Sequence, residues 1–265
     1  MTAEARRDPV IDLNVDAGES FGAYRIGADE EIVPLVTSVN VACGLHGGDP
    51  LVMRRTVRLA ASHGVAVGAH PGYPDLQGFG RRVMAIPPEE LVQILLYQIG
   101  ALAAIAAAEA VVLQHVKPHG ALYNAAVADE AVGAAVIEAV GSTGLPLMAL
   151  GGSRWAERAR RAGLRVAEEA FIDRGYRPDG TLVPRGQPGA LVTDPRAAAE
   201  RTVRLVTAGT VLAVSGETVH VHAHTLCIHG DTPGAAAMAK AVREALTAAG
   251  ARIPAILTCR ASAAA

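Results

Sequence analysis

The segment His115-Val116-Lys117-Pro118-His119-Gly120-Ala121-Leu122-Tyr123-Asn124 crowds histidine, lysine, tyrosine and asparagine around a proline and a glycine, directly after an apolar run. Such groups are costly to bury unpartnered and contribute little to packing, so a strand that delivers them to a loop points to a reactive site. Lys117 there can neutralise a carboxylate or phosphoryl group, and His119 can move a proton near neutral pH. Other apolar runs end in the same way. Leu13 to Glu19 carries Asn14 and Asp16, Asn40 to Asp49 carries Cys43 and His46, and Gly68 to Pro71 carries His70. Glu169 to Tyr176 carries Asp173 and Arg174, and Cys227 to Asp231 carries His229.

Asp16, His46 and His70 offer one carboxylate and two imidazoles from three consecutive strand ends, a donor set suited to Zn²⁺ or another divalent ion. Asp16 also has a plainer reading as a turn cap. Asp49 precedes Pro50 and reads as a helix cap, and Cys43 reads as a small buried residue. Arg81, Arg174 and Arg185 are candidate clamps for a substrate carboxylate, because a guanidinium binds carboxylates bidentately. His220, His222 and His224 alternate with apolar residues and share one face of a strand, too spread to close one compact metal site. The chain has neither a G-x-x-x-x-G-K-[ST] loop nor a G-x-G-x-x-G after a strand, which excludes a self-contained nucleotide site of those types.

These groups need a scaffold that brings distant strand ends together. Strands are predicted at 10–14, 38–41, 65–69, 111–116, 146–149, 165–170, 211–214 and 225–228, and helices at 50–62, 87–108, 130–140, 154–162, 195–207 and 233–249. Asp49-Pro50, Asp194-Pro195 and Thr232-Pro233 read as helix starts. The alternation implies a parallel sheet wrapped by helices, about seven βα units in one domain over 1–265, with 1–8 and 258–265 as frayed tails. A closed parallel barrel puts every strand's carboxyl end on one rim, where all the polar clusters fall.

A length of 265 residues and a formal charge of −2, with no basic stripe, argue against nucleic acid and anionic membrane as partners. Three cysteines without a CxxC pair favour a reducing compartment. With a polar start and no stretch read as long and uncharged enough to span a bilayer, a cytoplasmic location is expected.

The motifs Asp12-Leu13-Asn14-Val15-Asp16 with Gly18-Glu19, Asn40 to Asp49, Gly68-Ala69-His70-Pro71, Phe79-Gly80-Arg81, Tyr97 to Leu102 with Gln98, His115 to Asn124, Asp173 to Tyr176 and Leu182 to Arg185 resemble the LamB/YcsF family, from Val10 to about Ile256. Leu45 and Gly47 stand where phenylalanine and alanine are usual, and the His220-to-His224 alternation is a further departure. The resemblance implies a distorted TIM-like (β/α)7 barrel related to glycoside hydrolases and deacetylases. It also implies ATP-dependent opening of 5-oxoproline to L-glutamate with partner subunits B and C. On that reading Asp16, His46 and His70 orient water, directly or through a divalent ion, and His119 or His229 carries the proton to the departing nitrogen. Lys117 and Arg174 stabilise phosphoryl or oxyanion charge, and Asp173 joins them among the catalytic candidates. Arg81 or Arg185 holds the substrate carboxylate, with Asn14, Asn40, Gln98, Tyr123, Asn124 and Glu169 as further substrate contacts. Two rival readings are a metal-dependent deacetylase or other amidohydrolase working without ATP, and a non-catalytic scaffold for the partner subunits.

Overall fold

Strand β1 (Asp12–Ala17) alternates Asp12, Asn14 and Asp16 with Leu13, Val15 and Ala17, and all six residues are buried. A strand sends successive side chains to opposite faces, so burial of both sets requires cover on both sides. The computed structural model, which describes residues 9–255, supplies that cover. Strands β2 (Ser38–Ala42), β3 (Ala66–His70), β4 (His115–Val116), β5 (Leu147–Leu150) and β6 (Val166–Phe171) follow β1, and the chain adds β7 (Thr210–Leu212), β8 (Thr218–His220) and β9 (Thr225–His229). Seven of them close a barrel in the order β1-β2-β3-β4-β5-β6-β9, every pairing parallel. The fold is thus the α/β, TIM-like seven-stranded barrel. The predicted tails at 1–8 and 258–265 lie outside the described residues.

The strand predicted at 211–214 takes another place. It contributes β7, which pairs antiparallel with β8 outside the barrel. The linker between these strands is far too short for the crossover that a parallel pairing needs, so a hairpin is the only local solution. His220 is exposed at the end of β8, and His222 and His224 lie beyond that strand, so the three histidines do not share one strand face.

Helix α1 (Asp29–Ile32) precedes β2, and α2 (Pro50–Ser62) starts where Asp49 Oδ1 accepts from the N–H groups of Leu51 and Val52. Helix α3 (Pro88–Ala107) buries Leu91, Leu95, Ile99 and Leu102 on one stripe. By length and composition α3 would suffice to cross a membrane, which corrects the reading that no stretch is long enough; here it packs beside β3. Helix α4 (Gly120–Ala128) begins within the polar segment that reads as loop, and α5 (Glu130–Thr143), α6 (Arg154–Arg161) and α7 (Pro195–Ala208) carry the side-chain caps Asp129, Ser153 and Asp194. Helix α8 (Ala235–Ala248) begins after a left-handed Gly234, two residues beyond the start predicted at Thr232-Pro233.

The barrel floor is polar. The Asp12 carboxylate accepts from the hydroxyls of Thr37 and Ser38 (both 2.7 Å) and of Thr225 (2.5 Å), and burial pushes its pKa up. At about 3.3 Å per residue, Asp12 lies about 13 Å below Asp16 on the same face of β1. Asp12→Ala is therefore expected to lower stability by about 3 kcal/mol through orphaned hydroxyls and a small void, while any chemistry at the barrel mouth stays unchanged in the folded fraction. Urea unfolding and turnover measured on one preparation check both halves.

Candidate active site at the barrel mouth

Above the floor, the inward side chains form one connected polar column. Asn14 Nδ2 donates to Thr225 Oγ1 (2.7 Å) and Glu169 Oε1 (3.1 Å), and Asn40 Nδ2 donates to Asn14 Oδ1 (2.7 Å) and Asp16 Oδ1 (2.8 Å). His115 donates from Nε2 to Asn40 Oδ1 (2.7 Å), and its ring lies over Gly68, where any Cβ would sit about 2.1 Å from Nε2. Register explains the meeting of distant residues, since Asp16 pairs with Asn40 on one side and with His229 on the other.

Lys117 enters this column from the end of β4. Its ammonium donates to Asp16 Oδ1 (2.8 Å) and Cys227 Sγ (2.8 Å) and pairs with Glu169 Oε1 (3.0 Å). Burial alone would lower its pKa, but Asp16, Cys227 and Glu169 outweigh that and hold it well above the usual lysine value. Asp16 is the converse: burial would raise it, and the adjacent His70 ring and Lys117 ammonium outweigh burial and keep it well below the carboxylate range. A buried cation with hydrogen-bonded anions is the arrangement that makes burial of all three tolerable.

A second cluster adjoins the first. His70 donates from Nδ1 to the Lys117 carbonyl (2.6 Å), and His119 donates from Nε2 to the Phe79 carbonyl (2.8 Å). Carbonyls accept only, so these bonds fix both tautomers and leave His70 Nε2 and His119 Nδ1 as lone-pair donors facing each other at 3.1 Å. Phe79 holds φ at +54°, an uncommon conformation for a bulky residue, which aims its carbonyl at His119. His46 stacks on His119 with ring centroids 3.7 Å apart, and both of its nitrogens are buried without a hydrogen bond. Gly80 makes room, because a Cβ there would come within 2.7 Å of His119 and His46. Glu19 completes the group at 3.4 Å from His119 Nδ1 and 3.6 Å from His46 Nε2. Burial and the Asp16 charge push the Glu19 carboxyl well above its ordinary value, and burial holds His46 and His119 well below theirs.

Of the predicted metal triad, the structure brings His46 and His70 together with Glu19 and His119, while Asp16 Oδ2 stands 3.4 Å from His70 Nε2. Asp16 is no turn cap. Glu19 is the residue that sequence reasoning passed over as a site residue, and its place just past the β1 motif was the available signal.

A cavity of about 480 Å³ opens over both clusters, lined by Asp16, His70, Lys117, His119, Tyr123 and His229 among others. Much of its wall is the excursion between β6 and α7, which supplies Arg174 and Arg185. Arg174 donates to the carbonyls of Val183 (2.6 Å) and Ala190 (3.2 Å), and burial lowers its pKa to about 10, so it remains a cation at neutral pH. Among the described residues neither Arg174 nor Arg185 has a carboxylate ion-pair partner, whereas Arg81 pairs with Asp231 (2.5 Å) at the cavity edge. Asp173 does not pair with Arg174; it accepts from His229 Nδ1 (2.8 Å) and from the His229 amide (3.0 Å). That bond leaves Nε2 of His229 available toward the cavity.

Not every predicted contact reaches the cavity. Asn14, Asn40 and Glu169 lie in the column beneath it, and Gln98 is engaged with the backbone of Gly72 (2.8 and 3.0 Å). Asn124 lines the cavity, but its amide donates to the Gly120 carbonyl (3.1 Å). Cys43 is buried, its thiol pushed up to about 12 by burial, which removes it as a nucleophile.

Residues 11–261 match the LamB/YcsF family. The chain is 58% identical over 250 residues to the A subunit of 5-oxoprolinase from Symbiobacterium thermophilum, covering 93% of this chain and 96% of that one. It is 54% identical over 245 residues to the A subunit of 5-oxoprolinase from Pyrococcus abyssi, covering 92% and 96%. The crystal structure of the lactam utilization protein from Thermus thermophilus superposes with a TM-score of 0.88 at 54% identity, covering 93% of this chain and all of that one. A family 4 carbohydrate esterase from Streptomyces lividans shares the fold alone, with a TM-score of 0.51 at 12% identity over 94% and 93% of the two chains.

Proposed function

The chain belongs to the LamB/YcsF family, and from that premise we propose that it is the component of a 5-oxoprolinase in which the lactam ring is opened to give L-glutamate. The observation that carries this reading is the cavity of about 480 Å³, in which a proton-transfer group, an anchored carboxylate and unpaired guanidinium groups open onto one space. Relatives at 54–58% identity over nearly the whole chain are named as the A subunit of 5-oxoprolinase, which implies a multi-subunit complex.

A five-membered lactam resists hydrolysis because its amide is resonance-stabilised, so its carbonyl must be activated before water attacks. ATP, acting with partner subunits B and C, would phosphorylate the lactam carbonyl oxygen. Water then adds to the activated carbon, the C–N bond breaks as a proton reaches nitrogen, and a second water releases phosphate from the resulting acyl phosphate. In this chain Arg174 and Arg185 bind the substrate's anionic groups, and Lys117 stabilises charge developing on the attacked carbonyl. The Asp173–His229 pair is the proton carrier: Asp173 fixes the ring, and the free Nε2 serves the departing nitrogen. His119 is less suited, because both its nitrogens face protein groups. Arg81, tied to Asp231, shapes the cavity edge. A divalent ion held by His46 and His70 would, when bound, fix those rings and add positive charge beneath the cavity. A cytoplasmic location suits chemistry that consumes ATP.

Glutamate release from 5-oxoproline is expected only when the chain, subunits B and C and ATP are all present. Hydrolysis by the purified chain without ATP would instead identify an autonomous amidohydrolase. Full activity after simultaneous loss of Asp16 and His229 would leave a scaffold.

A further inference from the structure

We propose that Glu19, His46, His70 and His119 form a four-ligand centre for a borderline first-row transition-metal ion such as Zn²⁺ beneath the cavity. The proposal deepens the divalent-ion reading above, replacing Asp16 by Glu19 and adding His119 to the ligand set. One donor atom from each residue lies within 4.8 Å of all the others. Three of the separations, 3.1 Å between His70 and His119, 3.4 Å between His119 and Glu19, and 3.6 Å between His46 and Glu19, bracket the edge of a tetrahedron. With metal–nitrogen bonds of about 2.0–2.1 Å that edge is about 3.3 Å.

The tautomers point the same way. Each of His70 and His119 donates its outer N–H to a backbone carbonyl, the outer-shell arrangement that orients metal-binding imidazoles, and each turns its lone pair inward. A shared proton could join those two nitrogens, but it would leave both nitrogens of His46 buried and unbonded. An ion accounts for the inward nitrogens of all three rings. Three imidazoles and one carboxylate suit zinc, cobalt or nickel, whereas magnesium and calcium prefer oxygen ligands. Asp16 is committed through Oδ1 to Lys117 and Asn40, so its task is separate.

The group of Glu168, His222 and His224 is a weaker rival. Nδ1 of His224 accepts from the Glu168 amide, which puts the ring proton on Nε2, and the Glu168 carboxylate already pairs with Arg160 and His222.

Cobalt titration of the chelator-treated full chain tests the assignment. The expected result is one Co²⁺ per chain with the visible absorption of tetrahedral cobalt, displaced stoichiometrically by Zn²⁺ and untouched by millimolar Mg²⁺. Glu19→Gln and His46→Ala should each weaken binding beyond the about 10- to 100-fold that loss of an outer-shell partner costs, while Asp16→Asn keeps both stoichiometry and spectrum. Circular dichroism identifies any variant that fails to fold, and X-ray absorption on the wild-type cobalt protein counts nitrogen ligands independently. Absence of cobalt binding in the wild type, or ligand counts without three imidazoles, overturns the proposal. Because binding is read without turnover, a metal-loaded chain that yields no glutamate in the full complex would overturn the ring-opening reading instead.

Discussion

Asn in place of Asp16 is expected to slow glutamate release by the assembled complex about 10³-fold, with little change in KM and no loss of fold. The substitution keeps the shape and an oxygen that can accept from Lys117 and Asn40, and Glu169 remains to hold the lysine. What disappears is a fixed negative charge. Asp16 carries that charge throughout the neutral range, because His70 and Lys117 outweigh the effect of burial. A carboxylate so easily ionised is a poor proton acceptor but a good fixed acceptor for hydrogen bonds from water and a counter-charge for neighbouring imidazolium. Its contribution therefore belongs to the transition state and appears in kcat. Single-turnover rates on substrate-saturated enzyme make the measurement, and a rate within roughly threefold of wild type would remove Asp16 from the chemistry.

The barrel and its rim were legible because βα alternation and helix caps are local signals. Asp49 before Pro50 and Asp194 before Pro195 behave as capped starts predict. Helix α4 was hidden for the reason that made its segment noticeable: His119 to Asn124 reads as a chemical motif, and the reactive residues mask a helix that begins at Gly120. The hairpin of β7 and β8 deceived because strand propensity says nothing about partners; loop length decided the pairing. Within the site, the expected substrate contacts at Asn14, Asn40 and Glu169 fell one layer too low. Their period-two spacing announces an inward face, but only the register across the barrel sets their depth. Glu19 depends on a turn whose path no pattern in the sequence specifies.

Lys117→Met offers the sharpest separation of structure from chemistry. The methionine fills much of the lysine's volume yet leaves Asp16 and Glu169 buried together without their common cation. Breaking a buried ionic pair in this way costs about 3–5 kcal/mol, which for a domain of this size lowers Tm by about 10 °C. Adding Glu169→Gln removes one of the stranded charges and is expected to restore most of that stability, a coupling that a double-mutant cycle measures directly. Turnover should stay low in both variants, by about 10³-fold, because neither returns a cation to the cavity floor. Recovery of activity along with stability in the double variant would mean that Lys117 only neutralises its neighbours. Recovery of stability alone would assign it to the reacting carbonyl.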